Sequence, residues 1–210
     1  VKHVYMYQIL KRIIPVTGIL LVITALQLPG QDISEMPQSA YRDSPGVSSS
    51  YLQALLRFEP WAESVWHEYG PIPGSGYFGD GATTGNGGIR GTCGIALAYA
   101  VLVRAFPDAP QRLHRLKRVE AALRYAAMTH VGAPDTAIDG KRWGVLPADP
   151  STDPKGWQSS LWASSMGFAA ALVEKDLDPA VLRACQRVVG EEADWLSKKA
   201  PGSGYRGDTK

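Results

Sequence analysis

With 210 residues, 45% of them apolar and 20% charged, the chain has room for one large domain or two small ones. Its composition is that of a folded protein and excludes disorder and collagen-like structure. The formal charge of +2 originates in the first thirty residues, where Lys2, Lys11 and Arg12 meet no acid; beyond residue 30 there remain 19 basic residues against 20 acidic ones. A chain so near neutrality exerts no general pull on phosphate backbones, so nucleic acid is excluded as a partner class. Cys93 and Cys185 cannot make a disulfide scaffold, and neither has the C-x-x-C neighbour of a zinc or thioredoxin site.

Lys11 and Arg12 precede a charge-free run, Ile13 to Leu26. A basic flank followed by an apolar core is the pattern of a secretory signal or an N-terminal anchor, here assigned to residues 1–30. As a helix the run reaches about 21 Å, short of the roughly 30 Å of hydrocarbon in a bilayer. The expectation is export to a periplasm or beyond, with no stable membrane span. A polar linker follows over 31–49, and a helical domain over 50–210.

Within that domain the helices are of two kinds. Ser50 to Tyr69 reads as helical, broken near Pro60. Residues 93 to 103 carry no charge on any face, which predicts an inner helix surrounded by protein, with Thr92 as its cap and Pro107 beyond its end. From about Pro110 to Met128, Leu113, Leu116, Val119, Leu123 and Ala127 recur at helical spacing, predicting an outer amphipathic helix whose basic run from Arg112 to Arg118 is a solvated face. Trp157 to Val173 is again free of charge and rich in Ala, Ser and Gly, a second inner helix. Asp178 and Pro179 then supply an N-cap and first-turn proline for a second outer helix reaching about Lys199. No stretch alternates well enough for a long strand.

Inner helices joined to outer ones by short turns, and outer helices returned by long loops, predict an all-α fold: an incomplete α/α toroid with its loops gathered at one rim. The segment from Val131 to Gly156 exceeds the usual loop limit of about 12 to 15 residues, and Trp143 and Trp157 argue that it is functional rather than disordered. An internal repeat supports the toroid. Gly74-Ser75-Gly76-Tyr77-Phe78-Gly79-Asp80 recurs 128 residues later as Gly202-Ser203-Gly204-Tyr205-Arg206-Gly207-Asp208, with six identities in seven. The first copy leads into an inner helix, so the second is expected to open another hairpin, and the sequence reads as the N-terminal part of a longer protein.

Both copies match G-x-G-x-x-G, but Glu68 to Pro73 is not the strand a dinucleotide fingerprint requires, so no nicotinamide or flavin cofactor is expected. His67, His114 and His130 have no metal-cluster spacing, and neither a metal nor any other cofactor is implied. No G-x-S-x-G elbow activates a serine; Ser159, Ser160, Ser164 and Ser165 read as helix-packing groups. What remains gathers at the expected rim: Tyr77, Asp80, Asn86 and Arg90 from the Gly-rich loop, His130, Trp143 and Trp157 from the long loop, and Gln158 at the start of the second inner helix. Aromatic faces among neutral amides suit sugar rings. Trp162, deeper in its helix, reads as packing.

The runs Gly76 to Gly81, Gly85 to Gly91 and Trp157-Gln158-Ser159-Ser160-Leu161-Trp162-Ala163 resemble those of exported bacterial α/α-toroid proteins related to heparinase II/III-like polysaccharide lyases, over roughly residues 50 to 210. The resemblance implies an acidic polysaccharide or oligosaccharide as partner and β-elimination beside a uronate as chemistry. Asn86 and Arg90 would then neutralise the carboxylate, and Tyr77, Tyr205 or His130 would move the proton. Asp80, Trp143, Trp157 and Gln158 would bind the sugar. Such lyases follow the toroid with a β-sandwich that this sequence lacks, so the given chain by itself is expected to be inactive. Two alternatives stay open: a glycoside hydrolase on the same scaffold, drawing its carboxylate pair from Asp80, Asp139, Asp149, Asp153 and Asp208, and a noncatalytic saccharide-binding protein.

Overall fold

A computed structural model describes residues 45–81, 86–134, 143–144 and 157–197, with the backbone only for 45–48, 86, 87 and 157. The expected signal segment, the second repeat copy with Tyr205 and Asp208, and Asp139, Asp149 and Asp153 lie outside the described residues. The chain divides into two compact units at Ala54/Leu55. Of the first, only Pro45–Ala54 is described, the opening half of α1.

The described chain is mostly helical. Helix α1 (Pro45–Ser64) is followed by the strands β1 (Trp66–Glu68) and β2 (Gly76–Phe78), then by α2 (Asn86–Ala105), α3 (Arg112–Thr129), α4 (Trp157–Leu172), a single 3-10 turn (Glu174–Asp176) and α5 (Pro179–Ser197). Three expectations change at the start. Pro60 does not break α1; it sits inside the helix with its ring exposed, at the cost of one backbone hydrogen bond. Trp66 to Glu68 is a strand rather than helix, paired antiparallel with Gly76 to Phe78 in the register Trp66–Phe78, His67–Tyr77 and Glu68–Gly76. The inner helix begins at Asn86, so Thr92 lies within it. Instead of capping, the Thr92 hydroxyl donates to the Phe78 carbonyl and accepts the Phe78 N–H, both at 3.3 Å, which fastens the β-hairpin to α2.

The later elements fall close to their expected spans. Proline follows α2 at Pro107, and two turns, Ala109 N–H to Phe106 C=O and Arg112 N–H to Ala109 C=O, carry the chain directly into α3. Asp178 caps α5 as its position predicts, its Oδ1 accepting the Ala180 N–H at 2.7 Å. Helix α2 packs against both α3 and α4, and α4 packs against α5. Ile95 to Ala100, Leu102 and Val103 are all buried, so α2 is the inner helix that its sequence predicts. The window Gly88–Ala105 is long and apolar enough to cross a membrane, but 67% of it is buried inside the protein, which identifies it as a core helix.

The other charge-free helix is different. Trp162, Ala163, Met166, Ala169 and Ala170 are buried, yet Leu161 is 50% exposed and Ala171 is exposed, with Ser164, Ser165 and Phe168 half-buried between them. These positions form one stripe along α4. Absence of charge permits burial on every side but supplies no neighbour, and this stripe of α4 is only partly covered. Leu113 likewise drops out of the expected apolar stripe of α3, at 60% exposure.

The basic face of α3 is the larger correction. It is only partly solvated: His114 and Lys117 are exposed, but Arg115 is 3% exposed and holds Glu59 through two bonds of 2.7 Å. Arg118 holds Glu63 at 3.0 and 3.1 Å while its guanidinium lies 4.4 Å from the centroid of the Trp66 ring. Tyr99 of α2 donates to the same Glu63 at 2.7 Å, and His114 lies 3.1 Å from it. Farther along, Arg124 bridges Glu120 and Asp178. The basic run therefore clamps α3 to α1, and Arg124 ties it to the start of α5. Burial works to raise the Glu63 pKa, but bonds from Arg118, Tyr99 and His114 outweigh it and hold the carboxyl below its ordinary range.

The contacts also fix helix directions. Asp178 N–H bonds Glu120, Arg187 bonds the Ala127 carbonyl and Glu192 meets His130, so positions on α5 and α3 rise together and these outer helices run the same way. The starts of α2 and α4, the end of α3 and the later part of α5 consequently share one end of the bundle.

Candidate functional site at the helix-start end

The N-terminal loop of this end is built around a close backbone approach. Gly88, in the first turn of α2, lies against the Gly81 carbonyl, where a Cβ would collide with backbone. Gly81 in turn adjoins the Tyr77 ring and the Tyr125 hydroxyl. Tyr77 packs on Tyr125 with ring centroids 4.8 Å apart, Tyr69 closes the trio at 5.0 Å from Tyr125, and His67 lies over the other side of Tyr77 at 5.3 Å. Tyr77 is half-buried, and Asp80 and Arg90 are exposed. Both charged groups hold interactions within the chain. Because α2 starts early, Arg90 stands on the helix rather than on the loop, one turn beyond Asn86 and on the same face.

The long-loop candidates form a second, separate cluster. His130 ends α3 and is 0% exposed. Its Nε2 lies 3.0 Å from Glu192 Oε1, while Glu192, 1% exposed, accepts the Ser159 hydroxyl at 2.6 Å and the Ser160 hydroxyl at 3.2 Å through Oε2. On the other ring nitrogen, Nδ1, converge the Gly132 N–H at 3.1 Å and Glu191 Oε2 at 3.2 Å, the latter also bound by Arg187 at 2.9 Å. Trp143 meets the imidazole edge-on at 4.9 Å, donates its indole N–H to the Ala126 carbonyl at 2.8 Å and exchanges backbone bonds with Thr129 and Val131. Trp162 lies 6.1 Å beyond it. Gly144 has a φ of +95°, and its missing side chain leaves the space that His130 and Glu192 occupy.

Neither His130 nor Trp143, at 4% exposure, has a face open to a sugar. Their expected roles as proton carrier and stacking platform therefore give way to a structural one: they join the end of α3 to α4 and α5. Gln158 is half-buried in the first turn of α4, beside this cluster. The side chains of Asn86 and Trp157 and the whole of Tyr205 lie outside what is described. The Ser159 hydroxyl donates to the Glu192 carboxylate, which ties α4 to α5. Glu191 and Glu192, which complete the cluster, were hidden in a helix read only for its amphipathicity.

Among the described residues no group of three His, Cys, Asp or Glu side chains could hold a metal ion. Cys93 and Cys185 are free and buried. Burial pushes the Cys185 thiol up to about 12 and raises that of Cys93 as well, with Cys185 close enough to add to the effect. Thiols so far from ionisation are poor nucleophiles. An open depression of about 670 Å³ lies between the β-hairpin and α3, walled by Trp66, Tyr69, Pro73, Leu113, Lys117 and Glu120. It contains none of the candidate residues, and its charges are of both signs.

Compared with known proteins, the chain matches no family, no curated sequence and no solved structure.

Proposed function

We propose that this chain is the helical body of an exported carbohydrate-active protein, with its paired hairpins forming part of an α/α toroid. It takes an acidic glycan at the helix-start end and acts on it as a polysaccharide lyase by β-elimination. The observation that carries the reading is the exposure of Asp80 and Arg90, at the end of the hairpin and in the first turns of α2, with Tyr77 half-buried on β2. Arg90 and Asn86, one turn apart on a face of the helix-opening segment, suit a uronate carboxylate, and the positive end of the α2 dipole adds to the attraction. Neutralising that carboxylate acidifies the neighbouring C–H. Tyr77, half-buried against Tyr125, is the group on hand to take the proton, with Tyr205 the other tyrosine of the repeat.

A noncatalytic saccharide-binding role is the second reading. The burial of His130 favours it, since it removes one of three proton carriers from the accessible surface.

Incubation with uronic-acid glycans, with neutral glycans as controls, separates the readings. Lysis gives an unsaturated uronate that absorbs in the near ultraviolet; hydrolysis gives new reducing ends without that absorbance; binding by itself gives retention with neither. Failure to retain any acidic glycan overturns both the lyase and the binding reading.

A further inference from the structure

The Nδ1 atom of His130 has two neighbours that it cannot serve together. The Gly132 N–H is a donor and needs a bare nitrogen, whereas the Glu191 carboxylate is an acceptor and needs a protonated one. Among the described residues, every charged group set against the ring comes from α5: Glu192 at Nε2, Glu191 at Nδ1, and Arg187 bound to Glu191. From α4 come only the hydroxyls of Ser159 and Ser160, and from the loop side the neutral Trp143. With the imidazole neutral, its Nε2–H donates to Glu192 and Nδ1 accepts from Gly132. A proton added at Nδ1 points at Glu191, but leaves the Gly132 N–H without its acceptor.

We propose that His130 is a proton-operated latch, which when neutral holds the chain leaving α3 through the Gly132 amide and when protonated exchanges that amide for the Glu191–Arg187 pair. The step is a simple protonation, with solvent supplying the proton and no bond broken other than hydrogen bonds. Its mechanical consequence is local. Gly132 lies next to Val131, whose own N–H bonds the Trp143 carbonyl at 2.9 Å, so loss of the Gly132 bond loosens the two-residue junction that seats Trp143 over the ring.

Nuclear magnetic resonance of the folded chain carrying 15N-labelled His and Gly tests this directly. At neutral pH the His130 nitrogen shifts are expected to report the Nε2–H tautomer, and the Gly132 amide is expected to be protected. On acidification through the imidazole range, both Nδ1 and Nε2 should become protonated, and Gly132 protection should fall at least tenfold with the same midpoint. Glu191→Gln, which keeps the side chain's size but removes the charge that rewards protonation, should move that midpoint to lower pH; it alters a half-buried residue and leaves the Glu192 bond intact. An Nδ1–H tautomer at neutral pH, Gly132 protection that ignores the His130 midpoint, or a midpoint unmoved by Glu191→Gln would each overturn the latch.

Discussion

Two regions at one end of the bundle began as a single constellation in the sequence and are physically opposite. Around the hairpin and the start of α2, Asp80 and Arg90 stand at the surface and Tyr77 is half-buried, on a framework of tight glycine contacts. Around the end of α3, His130, Glu192 and Ser159 are sealed inside, and Trp143 covers them. Both regions are rich in aromatic, glycine and titratable residues. What separates a group able to meet a ligand from one that holds helices together is exposure, and exposure depends on where α4 and α5 pass, not on residue type.

This separation is most easily broken at Glu192. Glu192→Leu leaves His130, Ser159 and Ser160 facing an apolar side chain, and the expected loss is about 3 to 5 kcal/mol of unfolding free energy, measured by urea denaturation. A loss below about 1 kcal/mol would return the cluster to the rank of a surface feature. Gly144→Ala strikes the same cluster through the backbone: a β-carbon at a φ of +95° meets His130 and Glu192, for an expected cost of about 2 to 3 kcal/mol. In contrast, Arg90→Ala should cost less than about 1 kcal/mol, as for an exposed side chain whose interactions lie at the surface.

The α1–α3 seam sharpens the comparison by offering charges of intermediate burial. Arg115→Met removes a nearly buried fork on Glu59 and should cost about 2 kcal/mol, with a coupling above about 0.5 kcal/mol in a double-mutant cycle with Glu59→Gln. The half-exposed Arg112–Asp176 pair, at 2.7 Å, should contribute no more than about 1 kcal/mol. Glu63 provides a pH signature. Its folded-state pKa is lowered, so its contribution is complete above the ordinary carboxyl value of 4.5 and is lost as the pH falls below that value and through the folded-state one. Wild-type stability should accordingly decline more steeply on acidification below about pH 5 than that of Glu63→Gln.

Much of the helical layout was legible in the sequence because it rests on local rules. The Asp178-Pro179 start of α5 follows from capping chemistry, and the core position of α2 follows from a run without charge. The errors share a different origin. Thr92 looked like a cap because nothing local reveals that Phe78 would claim its hydroxyl from fourteen residues away. The arginines of α3 looked solvated because their partners, Glu59 and Glu63, come from another helix. Leu161 looked enclosed because composition states what a residue tolerates and not what lies beside it. For the candidate site, residue types were legible and their separation was not: the signal that could have found it is the pairing of Glu191-Glu192 on α5 with a histidine at the end of α3, which only the third dimension brings together.

If the helix-start end contains both a proposed ligand face and a structural core, the two should be damaged independently. Calorimetric titration with an acidic oligosaccharide tests it, run on Arg90→Ala and His130→Gln beside thermal melts of both. Arg90→Ala is expected to keep a melting temperature close to wild type and lose binding at least tenfold, whereas His130→Gln is expected to melt several degrees lower and bind normally in its folded fraction. Binding lost through His130→Gln at unchanged melting temperature, with Arg90→Ala binding as wild type, would contradict it.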